Sequence, residues 1–392
     1  MQICGVIAEY NPFHQGHAYH LKKARELAGC DYIIVAMSGS FVQRGEPALL
    51  DKWVRTACAL QNGADLVVEL PSRFAVRSAD MFASGGVRLL SGLGANSLCF
   101  GSELPLHTLT AAASVLEMED EAMSAAIRQG LDRGETLARA RGKALEAALG
   151  IANEHLNAPN TALAIEYIRA NMRLTSPMAL YAVERLGGYH DESLPEENNT
   201  FASASAIRSA LRGGCVEGLS DHLPTATAEA LQDARRFADM TRFDDLLLSC
   251  LRNQTAEDLE CLCDAGEGVE RRIWKAARQA VAREELLDLA KCKRYTRARL
   301  SRLCAQAMLG LEKQVDEKPA YARLLGFRRD AAPLMRYING RAEMPLCADA
   351  AALKDIPDFR MDARATDIRG LCTRDPQMRQ ADADYRHPPV IL

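Results

Sequence analysis

The first hundred residues alternate between short apolar runs and longer segments with helical spacing, and this alternation restricts the fold more than any other feature. Continuous apolar strands separated by helices are typical of a parallel sheet covered on both faces. Right-handed crossovers then predict an α/β fold with a Rossmann-like, doubly wound parallel sheet. The predicted strands are residues 3–7, 32–36, 66–69 and 97–100, and the helices between them are 17–28, 50–61 and 79–90.

The remaining chain is predicted to be mostly helical. Residues 178–183 are predicted to form a fifth strand, and a serine-capped helix over 203–211 follows it. Beyond residue 216 helical spacing dominates, and past residue 345 proline and charge content rise while periodicity fades. We therefore predict a catalytic domain over 1–215, an all-helical domain over 216–345 and a loosely packed appendix over 346–392.

The composition is that of an ordinary soluble protein, with 392 residues, 48% of them hydrophobic and 26% charged. No stretch approaches the roughly 18 uncharged apolar residues that a membrane span needs. The apolar run after Met1 lacks a basic segment before it, so we interpret it as a strand and not a signal peptide. The 12 scattered cysteines are interpreted as reduced residues of a cytosolic protein, and we expect no metal site.

The run from Gly5 to His17, GVIAEYNPFHQGH, carries the strongest functional signal. A strand ends near Ala8, and a helix starts around Gly16, where its N-terminus attracts phosphate and the glycine permits close approach. His14 and His17 then point at one place, where imidazole donors stabilise the charge that develops during attack on an α-phosphate. The alternative interpretation is two surface or capping histidines.

The opening GVIAEYNPFHQGHAYHL resembles the tRNA(Met) cytidine acetate ligase family, a branch of the HxGH nucleotidyltransferases. A lone HxGH motif indicates only a superfamily, but several stretches match this family in order. The further matching stretches are residues 37–48, 63–71, 100–103, 201–208, 293–296 and 321–327.

The resemblance implies an enzyme that activates acetate with ATP, forming acetyl-adenylate and pyrophosphate. The acetyl group then passes to the wobble cytidine of elongator tRNA(Met). Magnesium is expected to accompany the ATP phosphates. The resemblance assigns catalysis to His14 and His17. It assigns ATP binding to Ile7, Ala8, Glu9, Tyr10, Asn11, Pro12, Phe13, His14, Gln15, Gly16, His17, Ala18, Tyr19, His20, Gly101, Asn160 and Arg185.

Three of these assignments have structural alternatives. Gly101 also suits a turn at a strand end, although the resemblance implies that it lines the adenosine pocket. Asn160 is predicted to cap the helix over 160–170, a role compatible with contact to a base. Arg185, which precedes two glycines, is either a nucleotide contact or a solvated loop charge.

Two further segments are predicted to face the same crevice. Ser205 and Arg208, in a serine-rich helix start, resemble the second phosphate-binding signature of the superfamily, with Ser205 in place of the usual threonine. A plain serine cap is the alternative. In the loop after the second strand, Arg44 either reaches substrate phosphate or pairs with Glu46.

Residues 271–302 of the helical region contain eleven basic residues and two aromatic ones, a composition that suits RNA. We predict that Lys293, Arg294 and Arg297 bind tRNA, with a solvated helix face as the alternative. Two other functions stay open: a small-molecule nucleotidyltransferase, and an RNA-binding protein that has lost catalysis. Intact His14, Gly16 and His17 argue against the second.

Overall fold

A computed structural model describes residues 1–118, 121–184, 201–213, 218–313 and 318–392. Its strands range from two-residue pairs to runs of seven. They are β1 (Ile3–Ala8), β2 (Tyr32–Ser38), β3 (Phe41–Val42), β4 (Glu46–Pro47), β5 (Leu66–Leu70), β6 (Ser97–Ser102), β7 (Ala179–Glu184), β8 (Ala322–Phe327), β9 (Leu346–Cys347) and β10 (Val390–Ile391).

The helices surround these strands and fill most of the chain between β6 and β8. They are α1 (Gln15–Ala28), α2 (Lys52–Gln61), α3 (Ser72–Ala75), α4 (Ala79–Gly92), α5 (Leu106–Met118), α6 (Glu121–Asp132), α7 (Leu137–Leu149), α8 (Asn153–Leu156), α9 (Pro159–Met172), α10 (Ala204–Arg212), α11 (Thr225–Ala230), α12 (Met240–Arg252), α13 (Ala256–Glu260), α14 (Val269–Ala277), α15 (Arg283–Ala290), α16 (Arg297–Leu309), α17 (Ala332–Arg341), α18 (Pro357–Leu371) and α19 (Ala383–Arg386).

The central sheet has the order β10-β8-β5-β2-β1-β6-β7, and β9 pairs with β8. Its pairs are parallel except β5 with β8. Both faces are buried: in β2, Ile33 and Val35 enter one hydrophobic cluster while Ile34 and Ala36 enter another. This double burial explains the continuous apolar strands. The predicted mixed α/β fold with a mostly parallel sheet is confirmed.

The five predicted strands correspond to β1, β2, β5, β6 and β7, with ends that shift by one or two residues. The first helix begins at Gln15, two residues before the predicted start. The interpretation of Asn160 as a cap is wrong, because α9 begins at Pro159 after the cap residue Ala158, and Asn160 is already inside the first turn. Proline is well suited to that first position since its missing N–H would have no helical partner.

The region predicted to be all-helical, residues 216–345, also contains β8, which extends the sheet beside β5. A short apolar run does not distinguish a buried strand from a buried helical turn. The charged residue inside it, Arg323, is tolerated because its guanidinium contacts Asp384 at 3.1 Å in the interior. The helical prediction is therefore wrong for Ala322–Phe327, and the division into domains stays a prediction.

The loose packing predicted for residues 346–392 is also wrong. Asp384 is fully buried and forms an ion pair, at 2.8 Å, with the equally buried Lys52 of α2. Asp362 of α18 accepts hydrogen bonds from the Ser72 N–H at 2.6 Å and from the Tyr321 hydroxyl at 2.6 Å. From the sequence these acidic residues would be expected to be solvated. In the structure they are enclosed and form ion pairs or hydrogen bonds, so this segment is part of the folded unit.

Candidate active site

A cavity of about 330 Å³ opens at the carboxyl ends of β1, β6 and β7, beside α1, α9 and α10. Open α/β sheets bind ligands in this crevice, and the volume is within the range of small-molecule sites. Most of the predicted nucleotide loop lines it. The predicted site residues at the cavity wall are Ile7, Ala8, Glu9, Tyr10, Asn11, His14, Gly16, His17, Tyr19, His20, Gly101, Asn160 and Arg208.

His14 and His17 cap the start of α1 reciprocally. His14 Nδ1 accepts a hydrogen bond from the Gly16 N–H at 3.1 Å, and His17 Nδ1 accepts one from the His14 N–H at 3.2 Å. When Nδ1 of a neutral imidazole accepts a hydrogen bond, the ring carries its proton on Nε2. Both rings therefore have an Nε2–H group. The rings stack with centroids 3.7 Å apart. Capping and catalysis are therefore compatible roles, and the cap fixes the donors.

Gly16 is required by the histidine beside it. A Cβ at this position would lie 2.9 Å from His14 Cε1 and 3.0 Å from His14 Nδ1. The Gly16 N–H is itself bonded to His14 Nδ1. The glycine therefore leaves room for the imidazole, and the predicted close approach of a ligand to its backbone stays a prediction.

Glu9 lies at the cavity wall just beyond β1. Its Oε1 accepts a hydrogen bond from the Gln43 N–H at 2.7 Å, which fixes the carboxyl group. Burial raises the pKa of Glu9, while the charges of Arg208, Arg44 and Arg55 act in the opposite direction. A carboxyl group with three arginines near it can therefore share the crevice with an anionic ligand.

Another part of the cavity wall combines apolar side chains with a fixed amide. Phe100, Gly101 and Tyr167 line it. The Asn160 Nδ2 group donates to Glu103 Oε1 at 2.6 Å. Glu103 Oε2 accepts the Thr161 N–H at 2.9 Å, so the carboxylate of the matched Phe100–Glu103 stretch caps α9 from outside the helix. An apolar slot with one oriented amide is suited to a purine ring.

The start of α10 brings a guanidinium to the cavity. The Ser203 Oγ caps the helix by accepting the Ala206 N–H at 3.0 Å. Arg208 Nη1 donates to the Asn11 carbonyl at 2.6 Å, and Nη2 donates to Ser205 Oγ at 3.2 Å. Burial lowers the pKa of Arg208. The hydroxyl of Ser205 therefore orients the arginine, whereas the predicted serine cap is Ser203.

Some predicted residues do not line the cavity. Phe13 is fully buried and packs its ring edge-on against Tyr10, with centroids 4.7 Å apart, so it supports the loop from behind. Arg185 lies outside the described residues. Five described residues were predicted to bind ATP but do not line the cavity: Pro12, Phe13, Gln15, Ala18 and Ser205.

The chain matches known proteins over its whole length. The model of the HIGH Nucleotidyl Transferase family matches residues 1–384. The tRNA(Met) cytidine acetate ligase of Thermoanaerobacter sp. (strain X514) is 36% identical over 407 residues, covering 100% of both chains. That of Bacillus subtilis (strain 168) is 33% identical, covering 100% of this chain and 97% of the relative. This chain belongs to the tRNA(Met) cytidine acetate ligase family.

Solved structures agree with this family. The crystal structure of Thermotoga maritima TmcAL bound with alpha-thio ATP superposes with a TM-score of 0.90 at 30% identity, covering 100% of both chains. Its apo form gives a TM-score of 0.93 at the same identity and coverage. The predicted resemblance is thus confirmed at the level of the family and the fold.

One residue of this family member that sequence reasoning missed is Arg55 of α2. Its Nη1 donates to the carbonyls of Glu9 at 2.6 Å and Ser38 at 2.9 Å, joining the ends of β1 and β2 behind the cavity. Burial lowers its pKa to about 10. The sequence does contain a signal that Arg55 is buried. The spacing of Lys52, Arg55 and Ala59 places both cations on the buried face of an amphipathic helix.

The open question about Arg44 is resolved in part. Glu46 pairs with Arg283 at 2.8 Å, and Arg44 is an exposed residue at the cavity wall. The residues lie on a β3–β4 hairpin whose Arg44 carbonyl accepts the Ser301 hydroxyl at 2.5 Å. At Gly45, where φ is +73°, a Cβ would lie 2.5 Å from the Ser301 carbonyl oxygen. The hairpin is therefore clamped against α16.

The basic residues of the helical region divide into paired and unpaired groups. Arg297 contacts both Glu284 and Asp288 in ion pairs. Lys293 and Arg294 are exposed, and no carboxylate among the residues that the structure describes forms an ion pair with either. Their predicted contact with tRNA stays a prediction for all three, with the stronger case for the unpaired two.

The structure offers two further observations on ligands and environment. Within the described ranges, no group of three or more histidine, cysteine or acidic side chains has the geometry to hold a metal ion. No helix in the same ranges is both long and apolar enough to cross a membrane.

Proposed function

We propose that this chain is an ATP-dependent acetate ligase that forms acetyl-adenylate and transfers the acetyl group to the wobble cytidine of elongator tRNA(Met), giving N4-acetylcytidine. The observation that carries the proposal is the pair of Nε2–H donors of His14 and His17, fixed by backbone caps at the cavity wall. The names of its relatives and the alpha-thio ATP bound to the Thermotoga maritima structure support the substrates.

In this proposal ATP spans the cavity. The adenine ring occupies the wall formed by Phe100, Gly101 and Tyr167, near the amide of Asn160. The phosphates extend toward the histidines and Arg208. Of the remaining residues in the predicted loop, Phe13 and the others behind the wall act by holding the loop, and Arg185 stays a predicted nucleotide contact.

In the first step an acetate oxygen attacks the α-phosphorus, and the bond to the pyrophosphate oxygen breaks. Negative charge increases on the oxygens around that phosphorus in the transition state. The imidazole donors do not need to reorient to stabilise this charge, because the backbone already fixes their rings. Arg208, held by Asn11 and Ser205, is suited to the departing pyrophosphate.

Magnesium in this proposal arrives with ATP. Among the described residues at the cavity wall the carboxylates are Glu9 and Glu184, and Glu9 is already bonded to Gln43. A magnesium ion would therefore take most of its ligands from phosphate oxygens and water, which is its usual preference in ATP sites. The predicted cytosolic location belongs to the same proposal, and the described cysteines, which form no disulfide, are consistent with it.

The test is to incubate the purified protein with radiolabelled acetate, ATP and total tRNA, and then digest the tRNA to nucleosides. We expect label in N4-acetylcytidine only when ATP is present. A parallel reaction supplies acetyl-coenzyme A without ATP. Modification in that reaction would contradict the adenylate route. Absence of acetate-dependent exchange of pyrophosphate into ATP would instead favour an RNA-binding protein without catalysis.

A further inference from the structure

The transfer step leaves a proton to be removed, and His14 and His17 are poorly arranged to take it. When the amine of a cytidine attacks the acetyl carbon, nitrogen becomes positively charged until it loses a proton. His14 and His17 both use Nδ1 to accept backbone N–H groups, so their Nε2 atoms already carry protons. Another group must act as the base.

Glu9 is the carboxyl group that the cavity holds in a fixed orientation. Its Oε1 accepts the Gln43 N–H, and no described residue donates a hydrogen bond to Oε2. The other carboxylate at the wall, Glu184, is exposed at the end of β7. Glu103 is near the cavity, but both its oxygens accept hydrogen bonds at the start of α9.

The hairpin that contacts Glu9 connects the cavity wall to the helical region that carries the basic residues. It contacts Glu9 through Gln43 and is clamped by Ser301 of α16. The turn just before α16 carries the exposed Lys293 and Arg294. A tRNA bound at that turn would therefore lie against the helix that holds the hairpin beside Glu9.

Resting on the proposed function, we infer that Glu9 is the general base of the acetyl transfer. The cytidine N4 attacks the acetyl carbonyl carbon, the C–N bond forms, and the bond from that carbon to the AMP oxygen breaks. AMP leaves with the bonding electron pair, and the N4 proton moves to the Glu9 carboxylate. The residue is thus catalytic in the second step and not in the first.

The electrostatic surroundings of Glu9 suit this role. Burial raises its pKa, which brings the carboxyl closer to the working pH of a base near neutrality. The arginine charges keep it from becoming permanently protonated. The charged and titratable groups that act on it are Arg55 of α2, Arg44 of the hairpin, Arg208 of α10 and Tyr167 of α9.

The experiment separates the two half-reactions in the full-length enzyme. Glu9→Gln keeps an oxygen for the Gln43 N–H and removes only the basic group. We expect single-turnover transfer from enzyme-bound acetyl-adenylate to tRNA to fall by about 10²-fold or more, and by at least about tenfold more than any loss in acetate-dependent pyrophosphate exchange, because Glu9 also lines the ATP cavity. Glu9→Asp, which retains a carboxylate on a shorter chain, should give an intermediate transfer rate.

The pH profile gives a second readout. The wild-type transfer rate should rise with pH to an inflection and then level off, Glu9→Asp should keep the inflection, and Glu9→Gln should lose it. Transfer by Glu9→Gln at the wild-type rate would overturn the inference, and so would equal losses in both half-reactions. Failure of the wild-type enzyme to form acetyl-adenylate would instead contradict the proposed function itself.

Discussion

The cavity and the basic turn (Lys291, Lys293 and Arg294) both present positive groups, but they hold them in opposite ways. In the cavity, Arg208 is tied to a carbonyl and a hydroxyl, and the imidazoles are tied to backbone N–H groups. The cations of the basic turn are exposed. Fixed donors stabilise charge that develops on one atom, whereas exposed cations attract a long polyanion and are screened by salt.

The largest effect that this comparison predicts is at His17. We expect His17→Ala to lower acetate-dependent pyrophosphate exchange by about 10²–10³-fold, because a preorganised donor to the transition state is lost. Thermal unfolding should show only a modest loss of stability, about 1 kcal/mol, from the missing cap. His107→Ala, at an exposed histidine of α5, is the matched control and should exchange at the wild-type rate.

If His17→Ala is folded and exchanges pyrophosphate as fast as wild type, the fixed-donor side of the comparison fails. The reason is that no other effect of the substitution would compensate for a lost transition-state contact. Salt should make little difference to the result, because the donors act at contact distance inside the cavity.

The next effect is at the basic turn. We expect the double variant Lys293→Glu, Arg294→Glu to weaken tRNA binding by at least about tenfold near physiological salt and to flatten the log–log dependence on salt by roughly one unit per lost phosphate contact. Pyrophosphate exchange without tRNA should persist. Filter binding across a salt series measures the first quantity, and the exchange assay measures the second.

The matched control carries the same change of charge elsewhere. Arg336 and Arg341 are exposed on α17, and their reversal to glutamate should leave the salt slope unchanged. If both double variants weaken tRNA binding equally, net charge explains the effect and the basic turn is not a specific contact. If exchange falls together with binding in the basic-turn variant, those residues support the ATP site.

The same contrast explains how much the sequence could predict. Periodicity and turn residues predicted five strands of the central sheet and the histidine pair, because those depend on local pattern. The role of Arg55 and the strand around Arg323 depend on partners far away in the chain, which apolar spacing does not reveal. Asn160 satisfied the composition rule for a cap, but the proline before it starts the helix one residue earlier.

A fully enclosed carboxyl group gives the limiting case of the comparison and the smallest predicted effect. Burial and the nearby charge of Glu69 raise the pKa of Asp362 to about 8, far above the value of about 3.9 expected in the unfolded chain. Between these values the folded state binds a proton that the unfolded state releases. Stability from this group is therefore fully present below the unfolded pKa and is lost as pH rises toward 8.

We expect the free energy of unfolding in urea to fall by about 1–2 kcal/mol between pH 6 and pH 8 through this group alone. Asp362→Asn, which keeps an oxygen to accept the Ser72 N–H, should lose that part of the decline. Because other groups titrate over the same range, the measured quantity is the difference in slope between wild type and variant.

That difference should be the same in low and high salt, since no solvent separates Asp362 from its partners. A salt-sensitive difference, or an equal decline in both proteins, would mean that Asp362 does not behave as an enclosed carboxyl group that keeps its proton. The contrast between fixed, enclosed groups and exposed, screened ones would then hold for the cavity and the basic turn but not for the interior of the fold.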